Sequence, residues 1–310
     1  MGRRFTNLDP AHRPPALPAV VRWGIRDRLL GRRDVRAPGP PAPRIAPDRA
    51  LIHGNDGPPR LTWIGHASFL GFAGGVRFLV DPIFSAHAGW FYPRHGAPGF
   101  PLADLPAVDA LLVTHAHYDH LDAPSVAALP RSVPVFVPLG LGRWFRRRGF
   151  ERIHELGWWD AATSGPLRVT LVPARHWSRR TVLDTNRTWW GGFVIDVGAV
   201  RFYHAGDSGW FAGFAEIGRR FPGIRAAMLP IGSYAPSWFM EPNHMNPEQA
   251  GRAFLDLDAH TLVPMHWGAF QLTDEPLAEP PRRLRAWWDA TRPDSHRTLR
   301  IPAVGETILL

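Results

Sequence analysis

The sequence predicts an α/β fold in which β-sheets are layered with helices. From Leu61 onward, short β-rich runs each end in a polar loop, and helical stretches separate several of these runs. Strands mixed with helices of this length are typical of a layered α/β domain. No internal similarity recurs at a period of 20–50 residues, which excludes a repeat array. A single domain spanning residues 51–310 is therefore the simplest interpretation.

The strand and helix pattern covers most of that domain. The β-rich runs are LTWIG, VRFLVD, ALLVT, VPVFVP, LRVTLVP, GGFVID, VRFYHAGD, AAMLPIG and TLVPMHW. The predicted helices are 123–129, 140–148, 211–220, 247–257 and 280–291. Asn246 and Pro247, followed by Glu248, are typical of an N-cap, a first-turn proline and an early acid.

Residues 1–50 form an N-terminal extension rich in Arg and Pro. One helix is predicted within it, over 18–33, because Val21, Ile25 and Leu29 recur at helical spacing among arginines. Such a basic amphipathic helix can lie on an anionic membrane. The alternative, which we expect, is a segment that wraps over the domain.

Composition limits the chemistry and the location. The chain has no cysteine, which excludes disulfides, a thiol nucleophile and thiolate metal ligands. Its formal charge of +9 suits an anionic partner, although coding bias toward Arg explains it equally well. No apolar run reaches the ~18–20 residues of a membrane span, and the N-terminus lacks a secretory h-region. We expect a cytoplasmic protein that contacts a membrane only peripherally.

The segment LLVTHAHYDHLD, residues 111–122, predicts a metal site. An apolar strand ends there and delivers His115, His117, Asp119 and His120 within six residues. Imidazole and carboxylate ligands on a loop at a strand end suit Zn²⁺ better than Fe or Mn. Four ligands so close in sequence cannot all bind one ion comfortably, so the spacing favours two metals a few ångströms apart.

Three further side chains are candidates to complete this site. His176, Asp207 and His266 each follow the end of an apolar run. Taken singly, a histidine after a strand is more often a capping or core residue. As a set, they are the ligands that two sheets converging on one edge would supply.

The ordered motifs resemble the metallo-β-lactamase superfamily, and within it the phospholipase D enzymes that hydrolyse N-acyl-phosphatidylethanolamine. The segments that carry the resemblance run from about residue 60 to the GET near the C-terminus. They include TWIGHAS, DPIFS, HYDHLD, PARHWSRRT, NRTWWGGFVI, AGDSGW, PIGSYAPSWFM, HMNPEQA and MHWGAF. The stretch after DPIFS departs from the family pattern. The resemblance implies an αββα sandwich with the metals at one edge between the sheets.

The resemblance also assigns roles to single residues. One zinc would be held by His115, His117 and His176, the other by Asp119, His120 and His266, with Asp207 bridging the two. The catalytic residues would be Asp119, Asp207 and His244, the last beside the metals and in contact with substrate rather than metal. Substrate binding is further expected of Arg179, Arg180 and Tyr234. For the two arginines, the alternative is a buried ion pair that supports the loop.

The implied function is a zinc-dependent phosphodiesterase of phospholipase D type. A hydroxide shared by two Zn²⁺ ions per chain would attack the phosphorus of N-acyl-phosphatidylethanolamine or a related phospholipid, giving phosphatidic acid and an N-acylethanolamine. The expected partners are the phospholipid and a membrane surface, with paired Trp and Phe residues as candidate lipid contacts or ordinary core. The family further suggests a homodimer.

Two other functions stay open from the sequence. The same fold and metals could serve another substrate, such as a sugar-phosphate lactone, another phosphodiester or RNA. No added RNA-binding module or basic-aromatic pattern is visible, so no nucleic-acid partner is expected. The protein could also bind lipid or metal without catalysis, although its complete set of ligand-type residues argues against this.

Overall fold

The computed structural model describes residues 4–32 and 34–310, and its core is a pair of seven-stranded sheets. The first sheet contains β1 (Arg60–Gly65), β2 (Ser68–Ala73), β3 (Val76–Val80), β6 (Ala110–Leu112), β7 (Val135–Pro138), β8 (Ile153–Leu156) and β16 (Thr307–Leu309). Their order is β16-β1-β2-β3-β6-β7-β8. A separate hairpin, β4 (His87–Ala88) and β5 (Tyr92–Pro93), interrupts this sequence between β3 and β6.

The second sheet follows along the chain. It contains β9 (Ala161–Ser164), β10 (Leu167–Val172), β11 (Gly192–Val197), β12 (Val200–His204), β13 (Ala226–Pro230), β14 (Thr261–Met265) and β15 (Thr298–Leu299), in the order β15-β14-β13-β12-β11-β10-β9. Strands β12 to β15 run parallel, whereas β9 to β12 are antiparallel. Parallel strands bring their C-terminal ends to one edge, and this edge carries the candidate site.

Helical segments connect or flank the strands of both sheets. They are α1 (Leu17–Val21), a π-helical turn (Arg22–Arg26), α2 (Asp27–Leu29), α3 (Arg49–His53), a 3₁₀ turn (Leu102–Asp104), α4 (Ala123–Ala127), α5 (Gly142–Arg146), α6 (Gly213–Arg220), α7 (Ser237–Met240), α8 (Pro247–Asp256) and α9 (Glu279–Thr291). The five helices predicted for the domain are present, with ends shifted by up to two residues. The predicted N-cap is confirmed as a capping box between Asn246 and Gln249.

Alternation along the strands explains why the sheets pack face to face. In β3, Phe78 points into the space between the sheets and contacts the Phe202 ring at 5.3 Å between centroids. Its neighbour Leu79 points the other way, into a second apolar cluster with Val126 of α4 and Phe145 of α5. Apolar residues on both faces of a strand predict a sheet buried on both sides. The α/β class and the αββα sandwich are thus confirmed.

The described part of the N-terminal extension lies against the domain. Trp23 stacks on Phe239 with ring centroids 5.1 Å apart. The apolar stripe predicted there stays exposed, with Val21, Ile25 and Leu29 at 43%, 56% and 81% of their full accessibility. The predicted end of this helix, at Arg33, lies outside the described residues. Across residues 4–32 and 34–310, no helix has both the length and the apolarity needed to cross a bilayer.

Candidate metal centre

Three imidazoles and one carboxylate meet beyond the C-terminal end of β6. Nδ1 of His117 lies 2.9 Å from Nε2 of His115 and 3.2 Å from Nε2 of His176. Oδ2 of Asp207 lies 3.9 Å from His115 Nε2 and 3.8 Å from His176 Nε2. One ligand atom from each of the four lies within 4.8 Å of the others. A single ion with ligand bonds of about 2 Å would span such a set, which we call the three-histidine set.

A second set adjoins the first through the same carboxylate. Nε2 of His266 lies 3.3 Å from Asp119 Oδ2 and 3.1 Å from Asp207 Oδ1. Nε2 of His120 lies 3.5 Å from Asp119 Oδ2 and 3.3 Å from Asp207 Oδ2. The structure therefore brings all seven predicted ligand side chains together, with Asp207 in contact with both sets.

Buried polar atoms in this cluster lack hydrogen-bond partners. Nε2 of His120, Nε2 of His266 and Oδ1 of Asp207 are buried, and none makes a hydrogen bond of acceptable geometry within the described residues. Buried polar atoms are nearly always paired, so several unpaired ones together need an explanation. Imidazole nitrogens and carboxylate oxygens are the ligands of zinc and of other first-row metals, so the donor set fits bound metal ions.

Protonation states in the cluster favour a cation. Burial lowers the pKa of His115 and of His176 well below its usual value, so these rings are neutral. Although burial alone raises a carboxyl pKa, the neighbouring histidines hold the pKa of Asp119 and of Asp207 well below its usual range. Against the opposing effect of burial, Asp207 and Asp119 raise the pKa of His266 to about 9. The carboxylates thus require positive charge beside them, which bound metal ions would supply.

A buried carboxylate orients ligands from both sets. Asp81 has no exposed surface, and its Oδ2 accepts from Nδ1 of His120 at 2.7 Å and from Oγ1 of Thr114 at 2.6 Å. Its Oδ1 accepts from the Thr114 backbone N–H at 2.7 Å. The Thr114 hydroxyl in turn lies 3.0 Å from Nδ1 of His115. A carboxylate behind a metal-ligating histidine fixes the ring and its tautomer, so Nε2 is free to bind metal.

His66 is a candidate site residue that the sequence interpretation did not assign. Its Nε2 lies 2.9 Å from Oδ2 of Asp119, and its ring centroid lies 4.0 Å from that of His266. It groups with Asp119, His120 and His266 as a set able to hold an ion. The available signal was its position directly after the TWIG strand, the placement shared by the other ligands.

His244 lies beside the metal ligands rather than among the predicted seven. Its Nδ1 is buried without a hydrogen-bond partner and lies 3.9 Å from Oδ2 of Asp207. Its ring packs against that of His176 at 5.0 Å between centroids. An unpaired nitrogen at the edge of the cluster is available to a bound molecule or to a metal.

The three other predicted substrate contacts have different surroundings. Arg179 is exposed, with its guanidinium 5.0 Å from the centroid of Trp177. Arg180 is mostly buried and donates to the carbonyls of Ala116 at 3.2 Å and Leu121 at 2.7 Å. These two carbonyls lie near the ends of residues 115–121, which we call the metal-ligand loop. Arg180 therefore supports this loop through main-chain carbonyls rather than through an ion pair.

Tyr234 is engaged within the protein. Its hydroxyl donates to Oε1 of Glu279 at 2.6 Å, and the residue is only 6% exposed. A substrate contact through this hydroxyl would require that bond to break, so its predicted role stays a prediction.

Comparisons with known proteins identify the family of the chain. A family model described as the beta-lactamase superfamily domain matches residues 76–267. The chain belongs to the metallo-β-lactamase superfamily. An uncharacterized protein of Mycobacterium tuberculosis is 37% identical over 98% of this chain and 82% of its own length. The crystal structure of an isothiocyanate hydrolase from Delia radicum gut bacteria superposes on this chain with a TM-score of 0.64 and 25% identity. The match covers 81% of this chain and 99% of the hydrolase chain.

Two further relatives within the superfamily carry functional descriptions. N-acyl-phosphatidylethanolamine-hydrolyzing phospholipase D 1 of Caenorhabditis elegans is 33% identical over 74% of this chain and 69% of its own length. A metal-dependent hydrolase of Koribacter versatilis is 32% identical over 70% of this chain and 88% of its own length. The chain is therefore a metal-dependent hydrolase of the metallo-β-lactamase fold, and the C. elegans relative supports the phospholipase D branch.

Proposed function

We propose that the protein is a zinc-dependent phosphodiesterase of phospholipase D type, with two Zn²⁺ ions per chain, acting on N-acyl-phosphatidylethanolamine or a related phospholipid at a membrane surface. The observation that carries this proposal is the adjacency of the two ligand sets to exposed apolar side chains on the same loops. The similarity to the C. elegans enzyme supports the same substrate class. The homodimer and the lack of a nucleic-acid partner stay predictions.

Part of the apolar surface begins on the metal-ligand loop itself. Tyr118 stands between two ligands in sequence and is 39% exposed. A Cβ placed on Gly89 would lie 3.3 Å from the Tyr118 side chain, so the β4–β5 hairpin packs directly against this loop. Trp90 and Phe91 at the hairpin tip are each 84% exposed. Large aromatic side chains this exposed are typical of an interaction surface, including a membrane interface.

A second loop extends the apolar surface. The Tyr118 hydroxyl donates to the carbonyl of Arg180 at 2.8 Å, which joins the metal-ligand loop to the segment that follows His176. In this segment Val182 and Leu183 are 86% and 74% exposed. Val182 and Leu183, together with the aromatic residues at the tip of the β4–β5 hairpin, could enter the outer part of a bilayer, where burial of apolar area favours binding.

A third exposed region lies near His244. Trp238 on α7 is 43% exposed, and the Arg22 guanidinium lies 4.1 Å from the centroid of its ring. The exposed stripe of the N-terminal helix continues from there. Basic and aromatic groups in this combination suit an anionic lipid surface.

The reaction requires one bond to phosphorus to form and another to break. Water adds its oxygen to phosphorus, the bond from phosphorus to the headgroup oxygen breaks, and the proton released by water ends on that headgroup oxygen. Bound zinc would supply an acidified water and positive charge opposite the phosphate oxygens. Asp119 and Asp207 hold the charge that keeps such ions in place. His244 offers an unpaired Nδ1 to the phosphate or the leaving oxygen, and Arg179, three residues after His176, offers an exposed guanidinium.

The direct test is hydrolysis of a lipid panel by the purified protein. N-acyl-phosphatidylethanolamine, phosphatidylethanolamine and phosphatidylcholine are presented in vesicles, with and without a chelator, and the products are identified by mass spectrometry. We expect phosphatidic acid and N-acylethanolamine from the first lipid, with loss of turnover on chelation and recovery on addition of Zn²⁺. Turnover of bis(p-nitrophenyl) phosphate, RNA or a sugar-phosphate lactone, without release from any lipid, would contradict the proposal.

The role of His244 has its own prediction. His244→Ala should lower kcat by about 10²- to 10⁴-fold, the usual range for a group that transfers or positions a proton, while both zinc ions stay bound. Exposed His296 provides the matched control, because His296→Ala should leave kcat and metal content unchanged. Full activity of His244→Ala, or loss of zinc from it, would reject the assigned role.

A further inference from the structure

A segment close to the N-terminus, residues 4–12, reaches the metal centre. The Phe5 backbone N–H donates to the carbonyl of Asn186 at 2.8 Å, and the Phe5 ring stacks on Trp189 with centroids 4.8 Å apart. Residues 4–12 thus lie along the segment that contains His176, although more than 160 positions separate them in sequence. We call residues 4–12 the N-terminal strap.

Within the strap, one side-chain amide pairs with the main chain of a predicted metal ligand. Asn7 Nδ2 donates to the carbonyl of His176 at 2.7 Å, and Asn7 Oδ1 accepts from the N–H of His176 at 3.2 Å. Asn7 is 6% exposed and His176 is 1% exposed. A primary amide that both donates to and accepts from one residue fixes the position and direction of that residue's backbone.

His12, a second strap residue, acts on the imidazole ring of His176 through Asn243. Nδ1 of His176 donates to the carbonyl of Asn243 at 3.0 Å, which leaves Nε2 facing His117 and Asp207. The side chain of Asn243 is held in turn, since its Oδ1 lies 3.0 Å from Nε2 of His12. His12 and Asn243 are both buried, at 8% and 3% exposed.

We infer that Asn7 and His12 are positioning residues of the metal centre: Asn7 sets the backbone of His176, and His12 sets the carbonyl that orients its ring. This inference rests on the metal centre of the proposed function, and on the proposed lipid substrate only for the consequence in turnover. Because no strap side chain contacts His120 or His266 in the described contacts, the effect is selective for the three-histidine set. The N-terminal strap, which lies outside residues 51–310, is then part of the metal centre.

The test compares Asn7→Ala and Asn7→Asp with Leu8→Ala in the 310-residue chain. Leu8 is adjacent and 53% exposed, so its loss leaves both hydrogen bonds to His176 intact. Asp at position 7 keeps the acceptor for the His176 N–H but loses the donor to its carbonyl. The readouts are zinc stoichiometry, zinc affinity by competition with a chromophoric chelator, and kcat and KM separately.

We expect Asn7→Ala to bind one of its two zinc ions about 10- to 100-fold more weakly, the usual effect of losing a residue that orients a ligand, and the other ion normally. Asn7→Asp should be intermediate, and kcat should fall while KM holds. Leu8→Ala should match the original chain. Thermal unfolding of the metal-free forms separates a general loss of stability from a local effect.

Equal loss of both ions, or retention of both at the original affinity, would overturn the inference. His12→Ala is a second variant, because it acts through Asn243 and keeps both Asn7 bonds. It should produce a smaller loss at the same ion, and a normal zinc titration of His12→Ala would remove His12 from the inference. The zinc readout needs no lipid, so it holds whether or not N-acyl-phosphatidylethanolamine is turned over. A chain that binds no zinc would overturn this inference, whereas normal zinc binding without lipid hydrolysis would overturn only the proposed substrate.

Discussion

Replacing Asp81 by Asn should weaken metal binding in both ligand sets. The change is nearly isosteric, but it exchanges an acceptor for an NH₂ donor at one of the two side-chain positions. If the oxygen keeps the Thr114 N–H, the nitrogen faces Nδ1 of His120 and Oγ1 of Thr114, at the positions now 2.7 Å and 2.6 Å from Oδ2. Two donors then meet, so His120 must release its Nδ1 proton or rotate. A proton moved to Nε2 would block the atom that faces Asp119 and Asp207.

The magnitude follows from the number of ligands that depend on Asp81. Losing one residue that orients a metal ligand typically costs about 10- to 100-fold in metal affinity, or roughly 1.4 to 2.7 kcal/mol. Asp81 orients His120 directly and His115 through the Thr114 hydroxyl. We therefore expect Asp81→Asn to lower the affinity for both ions by about that factor. Thr114→Val replaces the hydroxyl by a methyl group and leaves the hydrogen bond between Asp81 and His120 in place, so it should affect mainly the three-histidine set.

The assay is a zinc competition titration with metal analysis of the purified variants. Asp109→Asn is the matched control, because Asp109 is exposed and its side chain, among the described residues, accepts from the Arg77 N–H alone, at the opposite end of β6 from the metal-ligand loop. Near-UV circular dichroism checks that the fold persists. The reasoning is refuted if folded Asp81→Asn binds two zinc ions as tightly as Asp109→Asn does.

Three further outcomes are expected. Asn tolerates the positive φ of 55° at position 66, so His66→Asn keeps the backbone and removes the imidazole. It should lower the affinity for one zinc ion by about 10-fold, and an unchanged affinity in a zinc titration would leave His66 without a role at the metal. Arg180→Ala should lower the free energy of unfolding by about 2 kcal/mol in a denaturant titration, because two loop carbonyls lose a charged donor. The exposed control Arg179→Ala should change the free energy of unfolding by less than about 0.5 kcal/mol. Equal effects would contradict the supporting role of Arg180. The double variant Trp90→Ser with Phe91→Ser should bind lipid vesicles at least about 10-fold more weakly in a sedimentation assay. Its hydrolysis of a soluble phosphodiester should be unchanged. Vesicle binding as strong as that of the original chain would place the membrane contact elsewhere.

Much of the site could be predicted because its ligands follow strand ends. His176, Asp207 and His266 are distant in sequence, yet each follows the end of a strand within four residues. β12, β13 and β14 pair in parallel, and β10 runs in the same direction as β12 because both pair antiparallel with β11, so these strand ends lie at one edge. The same rule applied to the TWIG run would have found His66. It was missed because the seven residues that the resemblance implies as ligands already filled both metal sites.

The contacts behind the ligands could not be predicted in the same way. Asp81 appears in the sequence only as the first residue of DPIFS, and its role depends on β3 pairing with β6, which sets it beside Thr114. The strap is a stronger case. Asn7 lies in an Arg- and Pro-rich stretch without periodic pattern, and only the folded chain shows that its amide meets His176. Local patterns predict elements, whereas single polar contacts between distant segments need the tertiary structure.

Backbone strain explains why this site needs so many supporting contacts. His66, Asp81 and His266 all have positive φ, at 55°, 43° and 63°, a conformation that non-glycine residues avoid. Each costs on the order of 1 kcal/mol or more, and persists only where the surroundings fix it. The backbone N–H of His266 donates to the carbonyl of His66 at 3.0 Å, and Nε1 of Trp63 donates to the same carbonyl at 2.9 Å. Since two strained residues share these bonds, a change at Trp63 that leaves the sandwich intact should still disturb the metal centre.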